Sequence, residues 1–88
     1  MEFNIPIKDK QGKVVNNAFM FLKDGIEYLQ CGGYVVAKID QQFNISIDKD
    51  WGGGDLCYNI FLNLTDIEIC DKIGQGLITL SDLYELDI

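Results

Sequence analysis

Reactive side chains stand closest together in Asp48-Lys49-Asp50-Trp51-Gly52-Gly53-Gly54-Asp55. Carboxylates spaced around a glycine-rich loop are the oxygen donors that calcium takes, and Asp48, Asp50 and Asp55 are the calcium candidates on that ground. The spacing departs from the helix-loop-helix calcium pattern. Gly53 falls where the turn glycine belongs, but Gly52 occupies a ligand place and Asn59 stands where the closing Glu would. The alternative is a solvated loop whose glycines permit a sharp backbone turn. The same loop carries the chain's single Trp. Trp51 either folds back to close the end of the domain or, if exposed, anchors a protein interface.

Acidic residues concentrate toward the C-terminus. Residues 66–88 hold Asp66, Glu68, Asp71, Asp82, Glu85 and Asp87 against Lys72 alone, a net −5 of the chain's −7. Such a face docks on a basic partner and speeds the encounter, or it only keeps a small domain soluble.

The missing residue types narrow the chemistry. The chain has no His and no Arg, so it offers no imidazole base and no guanidinium fork for phosphate. Carboxylate pairs such as Asp48/Asp50 or Asp82/Glu85 remain as acid–base candidates. An 88-residue chain leaves little room for a substrate cleft, and no Ser or Cys has a visible base partner. The glycine clusters at 52–54 and 74–76 do not follow the strand-to-helix pattern of a phosphate loop. The expectation is a non-enzymatic protein without a cofactor. Seven scattered Lys in a field of −7 argue against direct nucleic-acid binding and against an anionic membrane surface. No stretch is long and apolar enough to span a bilayer. The N-terminus lacks the basic and apolar regions of a signal peptide.

Cys31, Cys57 and Cys70 are odd in number and widely spaced, which suits a reducing compartment and three small apolar side chains in or near the core. Asn44-Ile45-Ser46 and Asn63-Leu64-Thr65 match a glycosylation sequon and are read as chance matches.

The elements that must position these groups read mainly with period two. Phe3, Ile5 and Ile7 alternate with polar residues, and Pro6 places that strand at a sheet edge. Strands follow at 14–23, with a bulge or bend at Asn16-Asn17, and at 26–31, 34–39 and 43–47. Asp24-Gly25 and Gly32-Gly33 supply two-residue hairpin turns. Leu56, Tyr58, Ile60, Leu62 and Leu64 fit one face of a long strand, with short strands at 67–70 and 77–80. Ser81 is placed to cap a terminal helical turn at 82–86. The sum is one all-β domain over residues 1–88, an antiparallel sandwich or small barrel of about seven strands.

Two stretches resemble small Ig-like all-β domains of tailed-phage baseplate and fibre proteins. They are Ile5-Pro6-Ile7-Lys8-Asp9-Lys10-Gln11-Gly12-Lys13-Val14-Val15, and Tyr58-Asn59-Ile60-Phe61-Leu62 followed by Gly76-Leu77-Ile78-Thr79-Leu80. The first is similar to their strand-turn-strand opening and the second to their closing strand pair. The resemblance implies a small structural or accessory component, in the host cytoplasm or on a virion, that binds protein and self-associates. It carries over no functional residue. The alternative is an acidic inhibitor, of the anti-defence or immunity kind, that blocks a basic nucleic-acid-binding site on a target protein.

Overall fold

Two turns set the pattern of the sheet. Asp24 and Gly25 have φ of 54° and 78°, and Gly32 and Gly33 have 60° and 87°. Two successive left-handed residues twist a hairpin the way strands twist, which joins neighbouring strands directly. The computed structural model describes residues 4–84. Its strands are β1 (Ile5–Lys8), β2 (Val14–Lys23), β3 (Ile26–Cys31), β4 (Tyr34–Ile39), β5 (Ile45–Asp48) and β6 (Ile78–Ser81). They form one open sheet in sequence order. Successive strands are antiparallel as far as β5, and β6 then lies parallel to β5.

Strands β2, β3 and β4 have the bounds that the alternation predicts, and β1 with its Pro6 lies at an edge. The expected irregularity at Asn16-Asn17 is present. Asn17 has φ 58°, and the β1–β2 register slips between Pro6 opposite Phe19 and Lys8 opposite Val14. The bulge leaves β2 longer than the strand it pairs with.

The expected sandwich or barrel is corrected by residues 56–74. The long strand read at 56–64 is helix α1 (Leu56–Leu62), and the short strand read at 67–70 lies inside helix α2 (Asp66–Gly74). Apolar residues fill nearly every position of 56–62, so the run satisfies a period of two and of 3.6 alike. Burial shows which period is used: Cys57, Tyr58 and Leu62 face the core, a helical spacing. Topology demands the same result, because parallel neighbours such as β5 and β6 need a crossover, usually helical. Residues 49–77 provide it. The fold is therefore a six-stranded mixed sheet with a two-helix layer.

The helices cover one face. Ala18, Leu29, Ala37, Ile47 and Ile78 of the sheet form one buried cluster with Cys57, Tyr58, Leu62 and Ile69. Phe19, Phe21 and Tyr28, of opposite parity to Ala18 and Leu29, gather on the other face around Leu83. Val35 joins them because the β3–β4 register slips between Leu29 opposite Ala37 and Gln30 opposite Val35. Phe21 stacks on Tyr28 at a centroid distance of 5.1 Å.

Leu83 reaches that face because Asp48 pins the chain beyond β6. Asp48 is 1% exposed. Its Oδ1 accepts from the Leu83 N–H at 3.0 Å, and its Oδ2 from the Asp50 N–H at 3.0 Å. Tyr84 then stacks on Tyr34 at 4.9 Å. The expected helical turn is absent at Asp82 and Leu83. Glu85 and Leu86, the rest of that turn, lie outside the described residues.

Candidate protein-binding surface

Helix α2 begins where its sequence provides two reciprocal caps. The Thr65 hydroxyl accepts from the Glu68 N–H at 3.2 Å, and a Glu68 carboxylate oxygen accepts from the Thr65 N–H at 3.1 Å. This capping box satisfies two backbone donors that the helix start leaves unpaired. Asp66, in the first turn, holds the preceding loop. One oxygen accepts from the Asn59 amide at 2.8 Å and the other from the Gly54 N–H at 2.8 Å. These bonds favour the charged forms. Asn59, then Gly54, holds the Asp66 carboxyl below the usual carboxylate range, and the Thr65 backbone and hydroxyl do the same for Glu68.

The Asp66 bond to Gly54 draws the Trp51 loop onto α2. Gly53 and Gly54 have φ of 85° and 81°, a conformation that side-chain-bearing residues resist. Trp51 takes the folded-back option. It is half-buried, packs on the core cluster and meets Tyr58 edge-on at 6.5 Å. Its indole Nε1 is buried without a hydrogen-bond partner.

Two groups of residues that sequence reading singled out separately thus meet in one place. Trp51, Gly52, Gly53 and Gly54 line a recess of about 300 Å³ together with Asp66, Ile67, Cys70 and Asp71 of α2. Ile67 is 75% exposed at its rim. Glu68 belongs to the same helix and Asp71 is exposed.

The remaining candidates lie apart from this surface. Asp82 is exposed and pairs with the Lys49 ammonium at 3.3 Å. Glu85 and Asp87 fall outside the described residues. Asp48 is committed to backbone donors, while Asp50 and Asp55 are exposed and Asp55 precedes α1. Among the described residues no three acidic or Cys side chains gather as a metal site. A larger and more enclosed groove of about 800 Å³ runs between the β1–β2 turn, with Lys8 and Lys10, and the α1–α2 corner, with Asn59 and Glu68.

Three features had little or no signal in sequence. Alternation places Ile67 in a strand, and its exposure follows from the helix. Phe43 is 84% exposed with φ 63°. The Asp40 carboxylate holds its turn by accepting from the Gln42 and Asn44 N–H groups, both at 2.9 Å. Cys31 and Cys57 are far apart in sequence, yet their Sγ atoms lie 2.7 Å apart.

No family model, curated protein or solved structure matches this chain. The fold and site define a small mixed sheet with a helical layer that carries an acidic, apolar-tipped surface.

Proposed function

We propose that this chain is a non-enzymatic protein-binding module that docks on a basic protein surface through α2 and the Trp51 loop. The observation that carries the reading is Ile67, 75% exposed, which lines one recess with Asp66, Asp71 and the glycines of the Trp51 loop. An exposed apolar side chain beside acidic residues suits a contact with a desolvated centre and a polar rim. The carboxylates would steer the approach of a cationic partner, and the apolar centre would slow its departure. Occupying a basic surface in this way is what an inhibitor of a nucleic-acid-binding protein does.

Amide shifts of the labelled protein titrated with a synthetic oligolysine peptide test this. The expected changes centre on residues 66–72 and on the Trp51 indole signal, and they fade with added salt. Shifts spread evenly over the acidic residues, or centred elsewhere, would overturn the assignment.

A second reading, a phage-type accessory component that associates with copies of itself, is favoured by the open sheet. Among the described residues β6 has a strand partner on one side alone, and Leu77 before it and Leu80 within it are 57% and 45% exposed. Light scattering over a concentration series checks it: a constant monomer mass counts against self-association.

A further inference from the structure

Cys31 is the last residue of β3, and Cys57 is the second residue of α1. Their Sγ atoms lie 2.7 Å apart. That is well inside the contact distance of two non-bonded sulfurs and approaches the ~2.05 Å of a disulfide. Cys57 is 6% exposed and packs within the main core cluster, with Cys31 half-buried against it. Cys70 is exposed on α2. Two thiols have thus been brought together from opposite layers of the fold, at the junction of the sheet with the first helix.

We propose that Cys31 and Cys57 form a covalent site, a reversible disulfide that ties α1 to the sheet when the chain meets a disulfide oxidant. With oxidised glutathione the step balances. One protein thiolate attacks a sulfur of the reagent and expels a glutathione thiolate, leaving a mixed disulfide. The second protein thiolate attacks the protein sulfur of that bond and expels the second glutathione. The two cysteines are together oxidised by two electrons and give up two protons, and one glutathione disulfide becomes two glutathione thiols. The sulfur–sulfur hydrogen bond pushes the Cys31 thiol up and holds the Cys57 thiol down.

The bond would close the loop from Cys31 to Cys57, which contains β4, β5 and the Trp51 loop. Closing a loop of this length restricts the unfolded chain and favours the folded form by roughly two orders of magnitude in the folded-to-unfolded ratio. Cys57 adjoins Tyr58, on which Trp51 packs edge-on. Oxidation therefore braces the element behind the proposed docking surface without depending on what binds there.

The test uses the folded protein equilibrated with glutathione buffers from fully reduced to fully oxidised, then alkylated and digested for mass spectrometry. The expected oxidised product joins the peptides containing Cys31 and Cys57, with Cys70 alkylated. Its unfolding midpoint in urea should exceed that of the reduced protein, and adding reductant should restore the lower value. A Cys70→Ser variant should give the same bridge, since Cys70 plays no part. A Cys31→Ala/Cys57→Ala variant should show no oxidant-dependent midpoint. Recovery of all three cysteines alkylated in fully oxidised buffer, or a bridge that uses Cys70, would overturn the proposal.

Discussion

Replacing Asp48 by Ala probes the carboxylate on which the second face of the sheet depends. Both of its oxygens accept backbone N–H groups at 3.0 Å, and the residue is 1% exposed. Hydrogen bonds to a charged group contribute about 1.5–3 kcal/mol each. The two bonds are not equivalent. Asp50 is exposed, so its N–H regains water when the carboxylate goes. Leu83 is 2% exposed, and its N–H either stays buried without a partner or pulls Leu83 out of the aromatic cluster. The expected loss is therefore about 2–4 kcal/mol, most of it from the Leu83 side. At ~4–8 °C per kcal/mol for a chain of this size, the melting midpoint should fall by roughly 8–32 °C. Asp48→Asn keeps one acceptor oxygen but turns an amide toward the other donor, so its loss should lie between Ala and the parent. Urea unfolding followed by far-ultraviolet dichroism gives the free energies. The Tyr84 ring signals report directly on the stack with Tyr34, which should loosen in the Ala variant. A loss below about 1 kcal/mol with the tyrosine stack intact would refute the assignment of Asp48 as the anchor of the terminal segment.

Three further outcomes follow from the geometry. Phe43→Asn should stabilise the domain by about 0.5–1 kcal/mol in urea unfolding, because Asn accepts the left-handed backbone that Phe43 holds at φ 63°. At 84% exposure the ring loses little packing when replaced, and an unchanged stability would mean that it makes contacts in solution. On the acid side, Asp40, Asp66 and Glu68 are all held below their ordinary values by hydrogen bonds, the largest being from the Asn44 backbone, the Asn59 amide and the Thr65 backbone. Their stabilisation is full above the unfolded carboxylate range near ~4 and is lost as the pH falls through the lower folded values. Melting midpoints measured downward from neutral pH should drop there, and less steeply in Asp66→Asn. On the alkaline side, burial pushes the Tyr58 phenol up. The unfolded chain therefore ionises first, and stability declines as the pH rises above ~10. Tyrosinate absorbance should show one ring that titrates only with unfolding.

Strands β1 to β4 are legible because alternation and paired positive-φ turns specify them locally, even though Phe21 and Val35 bury part of their second face as well. The helices are not, for a physical reason. Residues 56–62 are apolar at almost every position, and the choice between periods rests on the layer they pack against. For α2 a local signal did exist. Thr65-x-x-Glu68 directly before Ile69 is a capping box, and Asp66 adds a first-turn acid. Asp48 illustrates the limit at the site. Its position beside Asp50 in a glycine-rich loop suggests an ion ligand, and only the path of residues 81–83 shows that backbone donors occupy it. The Cys31–Cys57 approach had no sequence signal, since it depends on the crossover that sets α1 against β3.

The acidic third of the chain divides into two kinds of carboxylate, and this changes how its charge is understood. Asp66 and Glu68 hold the start of α2, and Asp82 is paired with Lys49. Each contributes to the local field while also serving the fold. Asp71 has no such structural bond among the described residues, and its side chain stands on the exposed part of the same helix. A field that steers a cationic partner sums all of these charges, whichever of them also bond to backbone. The positions of the structural carboxylates are thus fixed by the fold, and the fold thereby fixes the shape of the field. Ile67, 75% exposed, lies in the first turn of α2 between Asp66 and Glu68 in sequence. The charge count alone marks the C-terminal third as acidic, whereas the capping chemistry of Thr65, Asp66 and Glu68 explains why two of those carboxylates are held at the start of α2, next to Ile67 and the Trp51 loop.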